Sequence, residues 1–139
     1  MDSQGARRLI VQTVLAHYSG AQGIYLFGSY GTDDEWPDSD VDIAVLLPPL
    51  EAKEVGGLAL SALQLELADA LGRNVDLLNA RLVSTVFQKA IISGELLYCG
   101  DRCAVDEFEM LALSYYQKLN EVRAEILAAF RATGRAYAV

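Results

Sequence analysis

Two aspartates one residue apart, Asp40 and Asp42, open an apolar run that continues Ile-Ala-Val-Leu-Leu and stops at Pro48-Pro49. Alternate side chains of a strand share a face, so these two carboxylates stand on one side, about 6.5 Å apart at Cβ. Such a pair repels and loses hydration unless something neutralises it. A hard divalent cation does so, and magnesium suits one or two carboxylates completed by phosphate oxygens. Ten residues before Asp40, Gly28-Ser29 closes another apolar run, Ile24 to Phe27. Glycine allows close backbone approach, a helix beginning there offers free N–H groups, and the Ser29 hydroxyl adds a donor; together they suit a phosphate. A third acid, Asp76, lies inside the apolar stretch Asn74 to Leu78, where a carboxylate is unfavourable unless paired or metal-bound. Taken singly, Gly-Ser is a turn, Asp-x-Asp is common in solvated loops, and Asp76 is an ordinary strand-edge acid. Their joint order points to a metal–phosphate site.

These residues need a sheet to hold them. Ala6, Ile10, Val14 and Tyr18 recur at helical spacing and predict a helix over Gln4 to Tyr18. Strands are expected at Ile24–Phe27, Asp40–Leu47 and Asn74–Leu78, with an edge strand at Glu95–Cys99. The stripe Leu60, Leu63, Leu67 and Leu71 predicts one helix over Glu51 to Leu71, capped by Gly72 and weakened at Gly56-Gly57. A further helix is expected over Leu82 to Ser93, and a last one from Asp101 to about Ala132. The order is that of an α/β (α+β) fold, a small mixed sheet flanked by helices with a long C-terminal helix. It forms one domain over 1–139, with its core at about 20–100.

At 139 residues, 53% apolar and 22% charged, the chain is neither disordered nor fibrous. No apolar stretch is long enough to cross a bilayer. The first residues lack the basic start and apolar run of a secretory signal, so a cytoplasmic location is expected. Nineteen acids against eleven bases give a formal charge of −8, which argues against direct nucleic-acid binding. With one histidine, Cys99 and Cys103 make no zinc constellation and are read as reduced thiols.

The pattern Gly28-Ser29, ten residues, Asp40-Val41-Asp42, with Ser39 before the first acid, resembles the polymerase-beta-like nucleotidyltransferase superfamily, and the short length looks like its minimal members, the MNT domains. The resemblance is tight from about Ile24 to Leu78 and looser beyond. It implies that Gly28 and Ser29, with Ser39 beside the acids, hold the nucleotide. Asp40 and Asp42 would bind two magnesium ions, and Asp76 would serve as third carboxylate, as base or as metal ligand. The implied reaction is in-line displacement at the α-phosphorus of ATP. Minimal members are often antitoxins that transfer AMP to a tyrosine of a partner HEPN ribonuclease, and such a toxin is the expected partner here. Two other readings stay open: an antitoxin acting by contact alone, and a transferase acting on a small molecule or an RNA end.

In the last helix, Val105, Phe108, Ala112, Tyr115, Leu119, Val122, Ile126 and Ala129 alternate by three and four, the spacing of a coiled-coil seam. Part of it should cover the sheet and the rest should pack on another chain. Val105, Phe108, Tyr115, Leu119, Val122 and Ile126 are the expected contacts in a hetero-oligomer. Arg73 and Lys89 are candidates for triphosphate contacts, with surface charge as the plain alternative. His17, the acidic run Asp33-Asp34-Glu35 and Trp36 are read as a helix end, a solvated loop and a packing residue.

Overall fold

A computed structural model describes residues 3–28 and 40–133. The elements run α1 (Ser3–His17), β1 (Gly23–Phe27), β2 (Val41–Leu46), α2 (Pro49–Val55), α3 (Ala62–Leu71), β3 (Val75–Asn79), α4 (Thr85–Ile92), β4 (Glu95–Cys99) and α5 (Arg102–Thr133). The strands form one mixed sheet in the order β3-β2-β1-β4. β1 pairs antiparallel with both β2 and β4. β2 and β3 are parallel, joined by a crossover through α2 and α3. β4 is an edge strand, as expected.

Alternation along the strands divides the core in two. Ile24, Leu26, Ile43, Val45, Val75 and Leu77 face one layer, where they meet Ile10 and Val14 of α1 and Leu63 and Leu67 of α3. Tyr25, Phe27, Ala44 and Leu46 face the other, where they meet Ile91 of α4 and Val105 and Phe108 of α5. Strands buried on both sides read as continuous apolar runs, which is why β1 and β2 were visible in the sequence.

The stretch expected as one helix from Glu51 to Leu71 is two. α2 stops at Gly56, at φ 69°, and α3 begins only after Ser61, whose side chain accepts from Gln64 N. Between them Leu60 adopts φ 62°, a region that side chains with a Cβ avoid. The cause lies on β3: the Asn79 amide donates to Ala52 O and Gly56 O at 3.0 and 2.9 Å. Those bonds satisfy carbonyls at the end of α2 and fix its termination. Asp40, expected inside the second strand, sits just before β2 and is exposed.

α5 travels along β1. A Cβ on Gly23 would stand 3.1 Å from Val105, Phe108 meets Tyr25 at 6.2 Å between ring centroids, and the Tyr25 hydroxyl donates to Glu109 at 2.7 Å. The helix therefore runs from the Gly23 end of β1 towards the Phe27 end. Its 32 residues span about 48 Å, against about 17 Å for a five-residue strand. The excess projects beyond the Phe27 end. Val105, Phe108 and Ala112 are buried, whereas Tyr115, Val122 and Ile126 lie open. Val105 and Phe108, expected at a partner's surface, belong instead to this chain's own core.

Candidate active site

The site forms where β1 ends and β2 and β3 begin. Phe27 pairs with Asp42 across the antiparallel ladder, and Asp42 pairs with Asp76 across the parallel one. Asp42 and Asp76 therefore share the face of Ala44 and Leu46, which α4 and α5 cover. Gly28 turns with φ +79°, and a Cβ built there would fall 2.1 Å from Asp42 Oδ2. Only glycine fits: the Asp42 carboxylate occupies the space that any side chain would take. The sheet thus brings Gly28, Asp42 and Asp76 together, with Asp40 next to the strand. Ser29 and Ser39 lie outside the described residues, as do the acidic run Asp33–Glu35 and Trp36.

The electrostatics are those of an uncompensated acid pair. The carboxyl of Asp42 is pushed up to about 6. Burial is the main cause, followed by the charge of Asp76, a side-chain hydrogen bond with Asp76, and the charge of Asp40. Asp76 is exposed and Asp42 half-buried, so one carboxylate faces the mouth and the other the floor. Among the described residues no three His, Cys, Asp or Glu side chains close a metal cage. An open set of hard oxygen donors, with a glycine leaving room beside it, suits a cation that takes its remaining ligands from phosphate and water.

The end of α4 closes against the same edge. A Cβ on Gly94 would meet Leu26 O at 2.5 Å and Phe27 Cβ at 2.7 Å, so the α4–β4 turn presses on the last residues of β1. Lys89, in the last turn of α4, donates to Ser93 Oγ at 2.8 Å and lies 5.6 Å from the centroid of Tyr116 on α5. Sequence reasoning named Lys89 without a direction for it. It missed the close approach of Gly94, for which an isolated Ser-Gly before a strand gave only a turn signal.

A mixed sheet that gathers acids from adjacent strands beside a glycine turn defines a nucleotidyltransferase fold. The family model for "Polymerase beta, Nucleotidyltransferase" matches residues 10–103. The chain belongs to that family, in its minimal, MNT-type form. It is 37% identical over 107 residues to the protein adenylyltransferase MntA of Shewanella oneidensis, covering 76% of this chain and 73% of the relative. Among solved structures, a toxin–antitoxin with AMP-PNP superposes with a TM-score of 0.71 at 30% identity, over 90% of this chain and 98% of the other. The complex of a tri-AMPylated Shewanella oneidensis HEPN toxin with its MNT antitoxin gives 0.66 at 31% identity, over 92% and 98%.

Proposed function

We propose that this chain moves AMP from ATP to a hydroxyl, that of a tyrosine, on a partner HEPN toxin, and thereby acts as its antitoxin. The observation that carries the reading is the meeting of Gly28, Asp42 and Asp76 at one sheet edge, in a chain related to an adenylyltransferase. Asp40 and Asp42, with Asp76 beside them, would hold magnesium, two ions with nucleotide bound; when bound, the metal neutralises the triphosphate and acidifies the attacking hydroxyl. The Gly28–Ser29 turn, with Ser39, binds phosphate through its donors. The acceptor oxygen bonds to the α-phosphorus, the bond to the bridging oxygen breaks, and pyrophosphate leaves with that electron pair. The exposed position of Asp76 supports it as the carboxylate that takes the hydroxyl proton.

The partner docks on the outer half of α5, at Tyr115, Leu119, Val122 and Ile126. Support comes from the exposure of Tyr115, Val122 and Ile126 and from the direction of the helix: a protein seated there lies beyond the acid end of the sheet, where its hydroxyl can enter. No described helix is long and apolar enough to cross a membrane, in keeping with a cytoplasmic pair.

The test mixes the chain with ATP, magnesium and the HEPN protein encoded beside it, and weighs both chains intact. Added mass of AMP on the toxin, lost on substituting Asp42→Asn, supports the reading. Neutralisation of the toxin without a mass change indicates an antitoxin that works by contact alone. Label found only on RNA ends or a small alcohol moves the acceptor elsewhere.

A further inference from the structure

We infer that Lys89 is the cation that receives the outer phosphates of the nucleotide, moving from Ser93 and Tyr116 onto the β- and γ-phosphoryl oxygens; this rests on the nucleotidyl-transfer reading above. Three observations carry it. The first is position. α4 packs on the sheet face that bears Asp42 and Asp76, and its last turn leads directly into Gly94, which presses on Leu26 and Phe27. Phe27 is the ladder partner of Asp42, one strand spacing away, about 5 Å. Lys89 thus belongs to the helix end that closes on the last residues of β1, beside the strand that carries Asp42.

The second is its company. Among the described residues, Arg7 pairs with Glu95, Arg102 with Asp106, and Arg81 donates to Leu47 O and the Gln22 side chain. Arg73, the other candidate, already carries an interaction. Among the described residues Lys89 meets a hydroxyl and an aromatic ring, both neutral. An ammonium has three donors, and neutral partners are readily exchanged for an anion, whose charge-assisted hydrogen bonds are about twice as strong.

The third is tethering. Ser93 also donates to Lys89 O at 2.8 Å, which holds its oxygen in place to receive the ammonium. A lysine held only by a hydroxyl and an aromatic ring loses little on moving to a phosphate.

The experiment measures binding of AMP-PNP and of AMP, with magnesium, by calorimetry on the whole chain and its Lys89→Ala and Lys89→Arg variants, with thermal midpoints recorded for each. Loss of Lys89 is expected to weaken AMP-PNP about tenfold or more and AMP less than about twofold, with Lys89→Arg recovering most of the loss. AMP-PNP binding unchanged in Lys89→Ala, or equal weakening of AMP and AMP-PNP at an unchanged midpoint, overturns the assignment. Failure of the unmodified chain to bind AMP-PNP at all overturns the nucleotidyl-transfer reading itself, and so separates the two.

Discussion

The Cα of Gly28 and the carboxylate of Asp42 occupy space that a single methyl group would make impossible, since a Cβ at residue 28 would fall 2.1 Å from Asp42 Oδ2. Two constraints therefore coincide at one residue: a φ of +79°, which glycine alone adopts without strain, and direct contact with a site acid. Gly28→Ala should remove nucleotidyl transfer by about a hundredfold or more while lowering stability by about 1–2 kcal/mol from the φ alone. Transfer assays and denaturant melts on the same sample check both. Retention of activity within about threefold would show that the turn does not hold the reacting nucleotide.

Asp42 ties stability to pH. Burial and the neighbouring acids push its folded carboxyl up to about 6 from the ordinary 3.8, so the metal-free folded chain binds the proton more tightly than the unfolded chain. That stabilisation is complete below pH about 3.8 and is lost as pH rises through about 6. Asp42→Asn removes the ionisation, so at pH 7.5 the metal-free variant should melt about 2–4 °C above the parent. The gap should close on acidification below pH 5. Magnesium should raise the midpoint of the parent and leave the variant unmoved. Calorimetric melts at pH 4.5, 6 and 7.5 with and without the ion decide it.

The two halves of the α5 seam should separate by substitution. Phe108→Ala empties a site between Tyr25 and α4 and should cost about 3–4 kcal/mol. Val122→Asp, on the open half, should leave the melt within about 0.5 kcal/mol and abolish capture of the toxin. If Val122→Asp binds the toxin as the parent does, the outer seam is not the docking face. Tyr25→Phe leaves Glu109 without its donor and should cost about 1–2 kcal/mol.

Leu60 offers a stabilising change. It holds φ 62° with its side chain 81% exposed, so little packing is lost on truncation. Leu60→Gly should be neutral or stabilising by up to about 1 kcal/mol, because relief of left-handed strain outweighs the added chain entropy. A urea melt measures it; destabilisation by more than about 0.5 kcal/mol would show that Leu60 packs in solution.

The acids were legible because their chemistry conflicts with their setting. Asp40 and Asp42 open one apolar run and Asp76 interrupts another; alternation relates Asp40 to Asp42, whereas the shared face of Asp42 and Asp76 comes from the register of β2 on β3. The apolar runs also fixed β1 and β2. What escaped depended on contacts between distant segments. The break between α2 and α3 is enforced by Asn79, more than twenty residues away, although Ser61-Ala-Leu-Gln64 carries the capping pattern that marks a fresh helix start. The seam of α5 has one spacing along its length, and nothing in the spacing says where the sheet beneath it stops; hence Val105 and Phe108 were expected outside and lie in the core.

An isolated helix gains little by itself in water, and most of its stability comes from what it lies against. Beyond Ala112 the described part of α5 has only its own backbone ladder and scattered side-chain contacts to sustain about six turns. Its helicity is then a gauge of occupancy: far-ultraviolet dichroism per residue should increase when the toxin joins, and amide exchange in those turns should slow by orders of magnitude while the sheet barely changes. If the proposed partner covers these turns, a chain without it should expose them first to proteases.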